Sequence, residues 1–238
     1  MKKILTTVVA CVSLLAFASS ASAQIEGVGV MGGFTSSVAP ANGFDASSIS
    51  TYHAGITRKF NLGLGFAFQP SLTYQMKGTA LDYSSRSNSD MGAATNLGQT
   101  LLDGVRMLDA SVGYVELPCQ FQWGPDLMAF RPYLLVEPFI GFGVTMNAKS
   151  DVFSESVSNG FKDVSMSRWE YGFGIGGGIE IWRFQLSGRY FWNFGGLCDD
   201  QGNINPSNMA KTIRSAFENQ RGFNGFNLTM TFFFGPRN

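Results

Sequence analysis

Charge is scarce in this chain. Only 14% of its residues are Asp, Glu, Lys or Arg, and 17 basic residues face 17 acidic ones. Nucleic-acid binding needs a basic footprint, and none is present. Histidine occurs once, as His53, and cysteine three times. No Gly-x-Ser-x-Gly elbow accompanies that histidine, so a Ser–His–carboxylate hydrolase has no support. His and Cys never fall at metal-ligand spacing, and no metal or other cofactor is expected. Gly174 to Gly178 lacks the Lys-Ser/Thr and the following helix of a phosphate loop. Beyond the first residues no apolar run is long enough for a membrane helix, because Gly or a polar residue interrupts each one.

The N-terminus is a targeting segment. Lys2 and Lys3 precede an apolar stretch from Ile4 to Phe17, and Ala21-Ser22-Ala23 is a small-x-small cleavage site. Residues 1–23 are therefore read as a cleaved signal peptide and 24–238 as the mature domain. Its two cysteines, Cys119 on a strand face and Cys198 in a connection, are expected to be free thiols.

What the chain has in abundance is Phe (22), Gly (29) and strict alternation. In Phe226 to Phe234, Phe226, Leu228, Met230, Phe232 and Phe234 share one parity. Asn227, Thr229 and Thr231 take the other, so one strand face is apolar and one polar. Eight such stretches are read: Gly27–Thr35, Thr51–Lys59, Leu62–Lys77, Ser111–Trp123, Arg131–Thr145, Trp169–Ile181, Phe184–Phe194 and Phe226–Phe234. Short connections at Asn61, Gly124–Phe130 and Trp182-Arg183 alternate with long ones at Ser36–Ser50, Gly78–Ala110, Met146–Arg168 and Gly195–Gly222. Few charges, many aromatics, an export signal and long loops at one end together predict an all-β fold. It is a single closed antiparallel eight-stranded transmembrane β-barrel in an outer membrane. Tyr52, Tyr74, Trp123, Trp169, Tyr171, Tyr190 and Trp192 lie near strand ends, as girdles at the two lipid–water boundaries would.

Parity alone does not say which face is inside. With the apolar set turned to lipid, the inward set contains Gln69, Gln75, Lys77, Glu116, Gln120, Gln122, Glu137, Glu170, Glu180, Gln185 and Arg189. Eight strands leave a lumen that side chains nearly fill. The four carboxylates need counter-charges, and Lys77 and Arg189 are the evident ones. The six ionic residues Lys77, Glu116, Glu137, Glu170, Glu180 and Arg189 are thus the expected lumen network. His53 is expected to pack as a polar residue inside strand two. In the last long connection, Asn205-Pro206-Ser207 opens a helix. Met209, Ile213 and Phe217 then recur at helical spacing, which predicts a short amphipathic helix that covers the barrel mouth or docks a partner. Leu97, Leu101, Leu102, Val105 and Leu108 read as a similar cover in the second.

Three segments resemble one family. Phe68-Gln69-Pro70-Ser71-Leu72-Thr73-Tyr74-Gln75-Met76-Lys77-Gly78 is similar to the strand-three hallmark of the PorT-like outer-membrane β-barrels of Bacteroidetes. Tyr114-Val115-Glu116-Leu117-Pro118 is similar to that family's Tyr-x-Glu-x-Pro strand. Pro132-Tyr133, Gly141-Phe142-Gly143 and Gly174 to Glu180 follow in order. The resemblance covers essentially all of residues 24–238. It implies an eight-stranded outer-membrane barrel, and no single activity. One departure is that Gly235 to Asn238 follow Phe234, where such barrels often end on an aromatic. The expected function is a non-enzymatic structural or interaction protein of the cell envelope, surrounded by outer-membrane lipid. Its long external loops would engage a further envelope protein. The alternatives are a narrow polar channel and a soluble lipocalin-like periplasmic binder with its apolar face turned inward.

Overall fold

The computed structural model describes residues 24–42, 45–82, 108–127, 129–150, 161, 167–198 and 218–234. The strands are β1 (Gln24–Val38), β2 (Asp45–Gly63), β3 (Phe66–Asp82), β4 (Leu108–Trp123), β5 (Phe130–Ser150), β6 (Trp169–Ile181), β7 (Phe184–Asn193) and β8 (Asn224–Phe234). Each pairs antiparallel with the next, and β8 closes the ring on β1 from Val28↔Phe234 to Val38↔Asn224. Closure leaves the barrel wall with no free edge, so its backbone polar groups are paired and the wall is compatible with hydrocarbon.

Around the middle of the barrel the apolar parity faces out. Phe34, Ile56, Leu134, Ile140, Ile175, Leu186 and Met230 are all exposed on the wall. The polar parity faces in, and Gln69, Gln75, Glu116, Glu137, Gln185 and Asn227 are fully buried. This orientation is the reverse of a lipocalin.

Several strand boundaries differ from the sequence expectation. The first periplasmic turn is Leu64-Gly65, not Asn61, so Leu62 lies near the end of β2 instead of starting β3. The alternation Leu62, Leu64, Phe66 continues straight through the turn and conceals it. Gly63, Leu64 and Gly65 all have positive φ, at 84°, 55° and 81°. The flanking glycines accept that backbone freely, and Leu64 bears a steric penalty of about 1 kcal/mol or more.

The strands also run further outward than expected. β1 reaches Val38, β2 starts at Asp45, β3 ends at Asp82, β4 starts at Leu108 and β5 ends at Ser150. The first external connection therefore shrinks to residues 39–44, no longer than the periplasmic connection 124–129. The strict alternation of short and long connections does not hold there. The cause is a change of residue class along the same strands. Above the aromatic belt the inward positions become apolar: Leu81 on β3, Ala110, Val112 and Tyr114 on β4, and Met146 and Ala148 on β5. The outward positions become polar, with Ser48, Asp109, Thr145 and Asn147 exposed. Lipid surrounds the lower wall and water the upper one, so the same parity carries opposite chemistry at the two heights. On β5 the switch coincides with a β-bulge. Tyr114 pairs with Gly143 but Gly113 with Thr145, and the extra residue turns Met146 and Ala148 inward.

The upper segments close over a compact apolar plug. Ala39, Leu81, Val112, Tyr114, Phe139, Met146, Phe191, Leu197 and Phe223 form one buried cluster. The rings of Phe139 and Phe191 meet edge-to-face at 6.2 Å. The feet of the β7–β8 connection lie on this plug. An isolated bridge Gly196↔Arg221 holds them together, and the Asn42 side-chain amide donates to the Glu218 carbonyl at 2.8 Å.

Candidate functional site: the charged lumen

Buried polar groups line the lumen in three tiers, and Phe139 and Phe191 of the plug reach between the outermost and the middle one. In the outermost tier, Lys77 of β3 projects between Glu116 of β4 and Glu170 of β6. Its Nζ lies 2.8 Å from Glu116 Oε1 and 3.0 Å from Glu170 Oε2. Asn193 Nδ2 donates to the same Glu170 oxygen at 2.7 Å. The rings of Phe139 and Phe191 cover the ammonium at 4.6 and 4.7 Å, with Tyr114 at 5.4 Å. Lys77 is completely inaccessible to solvent. Two carboxylates and the aromatic faces of the plug together enclose it. Gly141 makes the room: a Cβ there would lie 2.6 Å from Glu170 Oε1 and 2.9 Å from Glu116 Cγ.

In the middle tier Arg189 of β7 forms an ion pair with Glu137 of β5. Its Nη2 also donates to Gln75 Oε1 at 3.3 Å. The Asn227 amide oxygen, turned toward it, accepts from Nη2 at 2.7 Å and from Nε at 3.1 Å. His53 bridges Thr35 Oγ1 at 3.0 Å and Thr229 Oγ1 at 2.9 Å across β1. Both ring nitrogens are therefore engaged in packing hydrogen bonds.

The periplasmic tier is built on Glu180 of β6. Lys59 Nζ of β2 lies 2.6 Å from Glu180 Oε2, and Arg131 Nη1 of β5 lies 3.7 Å from it. Arg131 also donates to Gln122 Oε1 at 3.1 Å and to the Gly65 carbonyl at 2.9 Å. Gln122 donates to Gln69 at 2.7 Å and to Gln120 at 3.0 Å, and Gln69 exchanges hydrogen bonds with Gln185 at 3.1 Å.

The structure thus gathers Lys77, Glu116 and Glu170 in one tier, Glu137 and Arg189 in a second, and Glu180 in a third. Lys59 and Arg131 are lumen cations that the sequence reading does not count. The signal is available, because Lys59 shares the parity of His53, and Arg131 that of Glu137. Among the described residues, buried Lys59, Lys77, Arg131 and Arg189 face buried Glu116, Glu137, Glu170 and Glu180, so the lumen is charge-balanced. The balance follows from the cost of an uncompensated buried ion, which is several kcal/mol. Cys119 and Cys198 are not joined in a disulfide. Among the described residues no group of three His, Cys, Asp or Glu is arranged to hold a metal ion. The candidates Met209, Ile213 and Phe217, residues Leu97, Leu101, Leu102 and Val105 of the second connection and the signal peptide lie outside the described residues, while Leu108 opens β4 and belongs to no helical cover.

A closed eight-stranded barrel with an apolar lower wall and a buried polar lumen defines the molecule as an outer-membrane β-barrel. The chain belongs to the outer membrane protein beta-barrel domain family, which it matches over residues 17–199. No curated protein matches it. Among solved structures it is similar to Ail, the attachment invasion locus protein of Yersinia pestis, at 12% identity. That match covers 88% of this chain and 99% of that one, with a TM-score of 0.40. It is similar to Neisserial surface protein A at 12% identity, with 89% and 99% covered and a TM-score of 0.42. A major outer membrane protein from Thermus thermophilus also matches at 12% identity, with 85% and 99% covered and a TM-score of 0.39.

Proposed function

We propose that this outer-membrane barrel is a non-enzymatic structural or interaction component of the cell envelope that works through its outer surface and not through its lumen. The observation that carries the reading is the double closure of the interior. Three tiers of ion pairs and amides fill the lumen, and the apolar plug from Ala39 to Phe223 covers it. A solute would have to displace both. The outward extensions of β1 to β5 supply a rigid base for the connections beyond them. An envelope protein bound by those connections is the expected partner.

Membership of the PorT-like branch is the finer reading, and the structure gives its motif a physical meaning that supports it. The Gln-Pro step, the Lys-Gly ending and the Tyr-x-Glu-x-Pro segment supply Gln69, Lys77, Tyr114 and Glu116. Gln69 belongs to the periplasmic tier, and the other three belong to or cover the outermost one. The hallmark is the packing of the lumen.

A photoreactive residue in place of Phe217, activated in intact cells before detergent extraction, tests the role. One dominant protein adduct is expected. Adducts confined to lipid or to the chain itself would refute an envelope partner at that connection.

A further inference from the structure

The periplasmic rim carries an unusual set of side chains. Each of its three turns has a large apolar residue at its tip. Leu64 is 94% exposed, Trp182 59% and Leu127 47%. Leu64 and Trp182 adopt positive φ, at 55° and 54°. Hairpin tips in water take Gly, Asn or Asp at such positions, which suits both backbone and solvent. Leu and Trp suit neither, so what surrounds these tips must be apolar.

The tips are continuous with the lipid-facing wall. Trp182 packs on Phe184 at 6.1 Å, Phe184 on Phe232 at 5.1 Å, and Phe232 on Phe234 at 5.1 Å. This aromatic ladder runs from a turn tip onto the outer face of β7 and across to the periplasmic end of β8. Beside the second turn a shallow apolar groove of about 220 Å³ opens at the same height, lined in part by Trp123, Pro125 and Leu134. The polar groups at the rim fit a phosphate layer. The Arg183 guanidinium lies 5.3 Å over the Trp182 ring. The exposed Asp126 carboxylate is turned back toward Arg131, at 3.6 Å.

We infer that the periplasmic turns are seated in the inner leaflet of the outer membrane. Leu64, Leu127 and Trp182 enter the boundary between headgroups and acyl chains, and Arg183 faces the lipid phosphates. The partner is a phospholipid surface, favoured over a periplasmic protein because the apolar ladder runs unbroken into the lipid-facing wall. Aromatic residues prefer this boundary, and a guanidinium extends from it to phosphate.

The test uses the full mature chain refolded into phospholipid vesicles. Trp123, Trp169 and Trp192 are replaced by Phe so that Trp182 is the sole fluorophore, and the folded state is verified by the gel-mobility shift of unheated samples. Lipids brominated near the headgroup end of the acyl chain should quench Trp182 about twofold more strongly than lipids brominated near the chain terminus, as for an interfacial ring. Aqueous acrylamide should quench it weakly. Efficient acrylamide quenching with no effect of brominated lipid would overturn the inference and leave the tips for a periplasmic protein. Should the triple variant not fold, a spin label at Leu127→Cys, with Cys119 and Cys198 replaced by Ser, gives the same decision. Greater accessibility to oxygen than to a water-soluble nickel chelate supports the inference, and the reverse sinks it.

Discussion

Lys77 shows how a single ammonium can be enclosed by a barrel. It answers two carboxylates, Glu116 and Glu170, and three aromatic rings. Replacing it by Met leaves both carboxylates buried beside no comparable cation. The expected cost is about 3–5 kcal/mol, the usual result of breaking a buried pair. The urea midpoint of the barrel in detergent micelles reads this directly. Adding Glu116→Gln and Glu170→Gln to Lys77→Met should recover most of the loss, because the tier then holds no uncompensated charge. Lys59→Met should cost clearly less than Lys77→Met in the same assay, since Arg131 remains near Glu180. Equal losses would mean that the Lys59–Glu180 contact at 2.6 Å dominates its tier and Arg131 contributes little. At this scale the sequence is informative about acids and less so about bases. The four glutamates stand alone among inward neutral residues and attract notice. Lys59 and Arg131 sit near strand ends, where a base reads equally well as a rim residue reaching toward phosphate.

At the scale of the element, β6 shows what glycine does in a crowded lumen. A Cβ on Gly176 would collide with the Gly188 carbonyl oxygen and lie 2.7 Å from Arg189 Cα, and neither backbone atom can swing aside. A Cβ on Gly188 would meet only the outer end of the Phe226 ring, at 3.0 Å, and that ring can rotate. Gly176→Ala should therefore lower the unfolding free energy by about 1–3 kcal/mol, as overpacking does, while Gly188→Ala should stay within about 0.5 kcal/mol. All eight strands are legible from alternation, and their ends are not. The β2–β3 turn is hidden because Leu64 keeps the apolar parity of Leu62 and Phe66 while its backbone turns. The outward ends of β3, β4 and β5 are hidden for another reason. Leu81, Ala110 and Met146 are apolar at inward positions, so a pattern tuned to lipid outside and polar inside ends before reaching them. The bulge near Val144 then shifts parity and erases the remaining signal.

For the whole molecule, closure of the lumen predicts electrical silence. The purified barrel in planar bilayers should show no steady conductance, and Arg189→Gln should not create one while the plug persists. Ohmic steps from the unaltered protein would contradict the proposed function and favour the narrow channel. Topology is checked by surface labelling in a background lacking Cys119 and Cys198. Ser48→Cys should react with an impermeant maleimide on intact cells, and Arg183→Cys only after the outer membrane is breached. Architecture and location are readable from the chain because lipid imposes its pattern on nearly every wall residue. The apolar plug is not, because it joins residues of β3, β4, β5, β7, the β1–β2 connection and the feet of the β7–β8 connection. No local pattern contains it. The exchange of polar and apolar faces along β3, β4 and β5 has a last consequence, for position along the membrane normal. Sinking the barrel by one residue pair would draw Asp109 and Asn147 toward hydrocarbon, and raising it would strand Trp169 and Phe226 in water. The chain therefore carries its own depth gauge. Its resting height, and the bilayer thickness it tolerates, are written into where the exchange occurs.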